Sequence, residues 1–471
     1  MKRIVIFLTM LVAACTTPSY PSIDQPSTGS NTQKDRDIIA YIDERLETEY
    51  LWLDEVLEKK DGFNRNAAWN EYLGSSLSKL TTNGDDGYVN AKGQRVYYSY
   101  IREITSSLTR AEVKGLGVDM HTTIIWYDQE NNYYAFIVED VFVGSPAAEA
   151  DIRRGDLIVK INDSYITPQN YVAFFNKIQV NGNSQSAKLQ IYRRLGEGGE
   201  PEMFNVSLTA AQFAECMVTH KEIIEGSKRV GYLVYTGFDT DSDEALLEAL
   251  REFDEAGVEE VILDLRTNGG GAVVSAQKLA SALLALEDEG KVLCEVRRNP
   301  NNMMSRTSEE FPLLPSDVHL DLKHLTVIAS NHTASASELM IMGLRGLDIP
   351  VTVVGATTNG KNCGMDVTRR TVGSTYLEYA PITFMCLDAK GFGDWGDGIQ
   401  PDVDVKAIDP NYPLPYAPWG SQQDAALYAA LESIGCTATA PTRALVGESY
   451  APAATIAEPL IGMRLYPEGE E

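Results

Sequence analysis

Ser335 and Lys361 are the two side chains whose types and spacing could do chemistry together. Ser335 sits in a polar turn, Asn331 to Glu338 (N-H-T-A-S-A-S-E), that opens an amphipathic run; Lys361 sits in a Gly-bounded loop behind the next apolar run. A helix starting at the serine and a strand running back beside it would bring the two together. A hydroxyl beside a desolvated, neutral lysine is a nucleophile with its base. A third segment, Leu263 to Gly271 (L-D-L-R-T-N-G-G-G), reads as the end of a buried strand and the opening of a helix. Glycines there expose backbone N–H groups at a helix start, where negative charge is stabilised. No Lys-Ser or Lys-Thr follows them, so the Walker pattern is absent and an oxyanion hole fits better than a phosphate site.

Each feature has a plainer reading. Ser-x-x-Glu is also a capping box, and a lysine in a polar loop is most often a surface lysine. His332, three residues before Ser335, invites a Ser-His pair, but so short a separation on one turn gives poor geometry and no acid partner is evident. His121, His220, His319 and His324 show no metal-ligand spacing, and no metal or organic cofactor is implied. Cys363, close to Lys361, could be a thiol nucleophile; a buried small hydrophobe is the simpler role.

The elements that must position these residues come in three regimes. Residues 35–110 read as a small helical N-terminal domain, with Ile38, Ile39, Ile42, Leu46, Tyr50 and Leu53 at helical spacing. Residues 111–209 turn to short strands. Residues 220–410 alternate strand and helix, which predicts an α/β layer around a largely parallel sheet. Residues 411–471 are acidic and Pro/Ala-rich and read as a helix plus a loosely packed tail.

Composition excludes some partners. The chain has 471 residues, 44% apolar, with a net charge of −27, so large cores can be buried and nucleic acid is not a partner. Lys2 and Arg3 precede an apolar run ending at Ala14, too short to span a bilayer, which reads as a signal peptide over 1–14. Val12-Ala13-Ala14-Cys15 resembles the bacterial lipobox, which implies lipidation at Cys15, and the Ser/Thr/Pro/Asn-rich residues 15–34 suit a flexible tether. The expectation is a protein of the bacterial cell envelope, lipid-anchored to a membrane and facing the periplasm or the outside. Cys216, Cys294, Cys363, Cys386 and Cys436 contain no C-x-x-C pair and indicate neither a zinc ribbon nor a disulfide framework.

Within 111–209, Gly115-Leu116-Gly117-Val118 precedes a G-S-P-A-A turn (Gly144 to Ala148) and the segment Gly155-Asp156-Leu157-Ile158-Val159-Lys160-Ile161-Asn162. The order resembles a PDZ domain, and the resemblance implies that Gly115, Leu116, Gly117 and Val118 bind a peptide carboxylate. The physics agrees: glycines let successive amides turn to one anion, and an extended peptide can add to the neighbouring sheet edge.

Taken in order, Asp264-Leu265-Arg266-Thr267-Asn268-Gly269-Gly270-Gly271, Ser335 to Glu338, Gly360-Lys361 and Gly398-Ile399-Gln400-Pro401-Asp402 resemble the C-terminal processing, or tail-specific, protease family. The resemblance implies a multidomain α/β protein with a crotonase-like catalytic core. It implies Ser335 as nucleophile, Lys361 as base, and the amides of Gly270 or Gly271 with that of Ala336 as oxyanion donors. Asn359 stands where the family has phenylalanine, and Asn362-Cys363-Gly364 replaces the usual small residues, which bears on cleavage preference. Asp348 is the nearest, shifted, counterpart of an aspartate some members carry. The expected activity is serine endopeptidase action on substrates recognised by their C-terminal tail. The alternatives are an inactive lipoprotein scaffold that binds peptide C-termini through its PDZ-like domain, and an acyl-transfer enzyme of crotonase type.

Overall fold

The computed structural model describes residues 32–89, 93–104, 113–179, 184–194, 200–436, 451–456 and 463–465. The apolar leader and Cys15 lie outside the described residues, and no described helix is long and apolar enough to cross a membrane.

Helices α1 (Gln33–Thr48), α2 (Leu53–Lys59) and α3 (Trp69–Leu77) come first. Thr32 and Asp35 cap each other's amides, so Gln33 and Lys34, read as tether, are already helical. These helices are not a free-standing unit. Ile38, Ile42, Leu46 and Tyr72 share one core with Met365, Val367, Leu377 and Ile382 from far along the chain. Strand β1 (Tyr100–Glu103) completes that union below.

The β-rich region holds β2 (Val118–Met120), β3 (Thr123–Asp128), β4 (Tyr133–Val141), β5 (Leu157–Ile161), α4 (Tyr171–Ile178), β6 (Ser186–Arg193) and β7 (Glu202–Thr209). Its sheet runs β7-β6-β5-β4-β3, with β2 also paired to β4. Leu116, Val118, Phe136, Ile158, Phe175 and Ile178 fill its core.

The α/β region contains β8 (Val218–Glu225), β9 (Arg229–Tyr235), α5 (Asp243–Glu255), β10 (Glu260–Asp264), α6 (Val273–Leu283), β11 (Val292–Arg298), β12 (Ser308–Pro312), β13 (Leu325–Ala329) and α7 (Ala336–Gly346). It continues with β14 (Val351–Gly355), β15 (Cys363–Asp366), β16 (Thr368–Val372), β17 (Thr375–Ala380), β18 (Ile382–Asp388), β19 (Val403–Asp404) and α8 (Ala425–Ser433). The main sheet runs β8-β9-β10-β13-β14-β19, parallel except for β8. Successive strand residues serve opposite faces. Leu233, Val327 and Val353 meet α5, α6 and α7 on one side, whereas Val234, Ile328 and Val354 meet α8 on the other. Both faces being covered, β13 is buried at all five positions.

Two smaller sheets join these regions. One runs β12-β11-β18-β15, and the other β16-β17-β1, joining the N-terminal region to the core. The stretch read as a loose tail also contributes β20 (Pro452–Thr455), which pairs with β3, and β21 (Met463–Leu465), which pairs with β15.

Candidate active site

Three loops meet at the carboxyl ends of β10 and β13. The polar turn after β13 is sewn to the loop after β10 by its own hydroxyls. Ser330 Oγ donates to the Arg266 carbonyl at 2.6 Å, Thr333 Oγ1 to that of Leu265 at 2.7 Å, and Ser337 Oγ to that of Asn268 at 3.0 Å. Ser335 caps α7 with φ 63° and ψ −116°, a backbone setting that L-residues adopt only when the surroundings impose it. Gly270 lies directly against it: a Cβ there would come 2.7 Å from Ser335 Cβ.

The amide of Gly270 does not face the serine as a free donor. It donates to Oδ1 of buried Asn268 at 2.8 Å, and Asn268 Nδ2 is held by the Tyr235 carbonyl at 2.8 Å. The amides of Gly271 and Ala336 have no acceptor among the described residues. Of the two glycines named from the sequence, Gly270 therefore supplies room and Gly271 supplies the open amide.

Glu338 ties the Ser335 turn to the Lys361 loop. Its Oε2 accepts the amide of Ser335 and the amide of Lys361, each at 2.8 Å. Its Oε1 accepts the Gly360 amide at 2.7 Å and Thr358 Oγ1 at 2.5 Å. Burial pushes this carboxyl above the usual range even though four donors pull the other way. The capping box is one-sided: the glutamate reaches back, while Ser335 Oγ is buried with no hydrogen-bond partner among the described residues. Thr358 Oγ1 also accepts the amide of Ile399, which anchors the G-I-Q-P-D segment to the lysine loop at 2.7 Å.

Lys361 is fully buried, not a surface lysine. Its Nζ lies 4.4 Å from the Tyr98 ring centroid, and the Tyr98 hydroxyl donates to Asn359 Oδ1 at 2.7 Å. Asp86, buried nearby, accepts from Ser99 and Tyr50, and burial pushes its carboxyl up. The N-terminal region thus walls the lysine, and Asn359 serves as its contact. Sequence reading missed Tyr98 and Asp86, because T-T-N-G-D-D-G (Thr81 to Gly87) looks like any polar loop; Glu338 was visible as half of a capping box.

The remaining candidates separate. Cys363 is buried, its thiol pushed up by desolvation and donating to the Asp85 carbonyl, the position of a small core hydrophobe. The His332 ring meets His121 of the β-rich region edge-on at 5.9 Å, not the Ser335 hydroxyl. Asp348 is exposed and paired with Lys390. In Gly115–Val118, Leu116 and Val118 are core residues, and the carbonyls of Leu116 and Gly117 accept from Ala147 and Phe142. The amides of Leu116 and Gly117 have no acceptor among the described residues. Among those residues no group of three or more His, Cys, Asp or Glu could hold a metal.

Residues 229–405 match the model of peptidase family S41, and residues 137–193 match that of a PDZ domain. A CtpA-like serine protease of Staphylococcus aureus (strain N315) is 23% identical over 85% of this chain and 71% of its own. One of Staphylococcus epidermidis (strain ATCC 12228 / FDA PCI 1200) is 22% identical over 71% of this chain and 62% of its own. A crystal structure described as that of an S41 protease from Bacteroides fragilis NCTC 9343 aligns with a TM-score of 0.66 at 23% identity, over 84% of this chain and 97% of that one. Residues 229–405 are thus a peptidase family S41 core, carried in one chain with a helical N-terminal region and a PDZ domain, as the resemblance to C-terminal processing proteases implied.

Proposed function

We propose that this chain is a serine endopeptidase that cleaves proteins recognised by their C-terminal tail. Ser335 Oγ attacks the scissile carbonyl and passes its proton to neutral Lys361, whose burial disfavours the charged form. The amides of Gly271 and Ala336 receive the developing oxyanion, a contribution of about 3 kcal/mol per donor where such donors have been removed. Protonated Lys361 then returns the proton to the leaving amine, and water releases the acyl group by the reverse sequence. The PDZ domain takes the substrate carboxylate at Gly115–Val118. An anchor at Cys15 would hold the enzyme to a membrane of the cell envelope.

One observation carries this reading: a single buried oxygen, Glu338 Oε2, binds the backbone of both Ser335 and Lys361 while the serine hydroxyl is left unpaired. The test uses the chain from Thr32 onward with an unfolded reporter bearing an apolar or a charged C-terminal tail. Ser335→Ala and Lys361→Ala should each lower cleavage at least about 10³-fold without unfolding the protein. Full activity in either variant removes the dyad. Tail binding without turnover in the unsubstituted protein would instead favour the scaffold. Loss of lipid labelling in Cys15→Ala would support the anchor, and unchanged labelling would refute it.

A further inference from the structure

Residues 451–456 occupy an edge of the PDZ sheet on which a peptide could add. β20 lies antiparallel on β3, on the side away from β4, so that without it β3 would be an open edge. The Trp126 amide donates to the Ala451 carbonyl at 3.0 Å, and the Ile456 amide to the Thr122 carbonyl at 2.8 Å. The segment reads A-P-A-A-T-I, small and uncharged. Ala453, Ala454 and Ile456 pack on the core that contains Leu116, Val118, Phe175 and Ile178. Its direction takes it along β3 toward β2 and the Gly115–Val118 loop. Main-chain bonds to a sheet edge, with side chains seated on the core behind it, is the geometry of peptide capture by strand addition.

Two further observations point the same way. Beyond Ile456, Gln179 at the end of α4 closes the edge: its Oε1 accepts the Met120 amide at 2.8 Å and its Nε2 donates to Asp119. Farther along the chain, β21 lies parallel beside β15, the strand that begins two residues after Lys361. Its backbone passes within 8 Å of α6, the helix behind the Gly270–Gly271 loop. One stretch of chain therefore touches both the capture edge and the flank of the lysine strand.

We propose that residues 451–456 and 463–465 are a resident peptide ligand of this chain, which substrate tails must displace before they can be captured. The proposal rests on reading the PDZ domain as the tail-binding module. A tethered segment meets its site at an effective concentration of the order of millimolar, so even a weak strand suffices to keep the edge occupied.

The test uses the full chain with Ser335→Ala, so that nothing is cleaved, and a fluorescent peptide spanning residues 449–457. Two added substitutions release the strand differently. Ile456→Pro removes the amide that bonds Thr122, and Ile456→Asp keeps the amide but breaks the apolar seat. Both should bind the peptide about tenfold more tightly than the parent, with unchanged far-ultraviolet dichroism. Equal affinity in all three, or no binding to either folded variant, overturns the proposal. A second probe, a peptide with an apolar free C-terminus, separates the two readings. If it gains the same tenfold, resident strand and substrate compete. If it binds nowhere while the 449–457 peptide behaves as expected, tail capture fails and the resident strand stands.

Discussion

Two glycine loops, Gly115–Val118 in the PDZ domain and Gly269–Gly271 in the core, look alike as sequence and end differently in space. Each offers backbone amides, and each has a glycine that tolerates no side chain: a Cβ on Gly117 would meet Ser145 at 2.1 Å, and one on Gly270 would meet Ser335 at 2.7 Å. The core loop is locked. The carbonyls of Arg266, Leu265 and Asn268 just before it accept from Ser330, Thr333 and Ser337, Asn268 holds Gly270, and Glu338 secures the serine opposite. The PDZ loop is held at its ends by the pairing of Gly115 with Ala211 and of Val118 with Val141, and between them by the Leu116 and Gly117 carbonyls. The neighbouring sheet edge is covered by residues 451–456. Chemistry asks for preorganised donors, while capture asks for a surface that can be vacated.

The largest effect should come from removing the lock. Glu338→Ala leaves three amides and the Thr358 hydroxyl buried without their acceptor, and should cost about 3–5 kcal/mol in denaturant unfolding while ending hydrolysis. Glu338→Gln, which still accepts on one side, should cost clearly less. An unchanged unfolding midpoint in Glu338→Ala would break the contrast between locked and open loops.

The glycines sharpen it next. Gly270→Ala, at φ 102° and against Ser335 itself, should cost about 2–3 kcal/mol and abolish cleavage of every substrate. Gly117→Ala should abolish tail binding yet leave slow, tail-independent cleavage of a short peptide. Were the two substitutions to have the same kinetic signature, the loops would not have separate tasks.

Acid should then act at the seam between the two regions. His121, facing His332, Glu139 and Arg154, is pushed down to about 4 by burial. The folded state resists the proton that the unfolded chain takes up near pH 6.5. The contribution is therefore present above pH 6.5 and lost as pH falls toward 4, by about 3 kcal/mol in total. Unfolding midpoints measured across that window should fall less steeply in His121→Asn, and parallel profiles would show that the seam does not titrate.

The smallest change is a gain. Ser335→Gly relieves a positive φ and should be about 1 kcal/mol more stable than Ser335→Ala, which sheds the same unpaired hydroxyl but keeps the strain, with activity gone in both. Equal stability of the two variants would mean that the turn is not strained by its backbone.

Much of this was legible in the chain. Strand and helix alternate from Val230 to Val354 because apolar residues recur at the periods that bury both faces of a parallel sheet, and Ser335, Glu338 and Lys361 stand at junctions that such periods leave exposed. Local chemistry specifies local form, so the turn, the cap and the glycine loops could be read residue by residue. Distant pairing could not. Only the tertiary structure decided that α1 to α3 form a layer on β17 and β18 instead of a separate domain, and that Tyr98 and Asp86 wall the lysine. It also chose Gly271 over Gly270 as the open amide, and seated residues 451–456 on the PDZ edge. An amphipathic face or a strand edge states what kind of partner it needs, and many segments qualify. Which one arrives depends on how the whole chain closes.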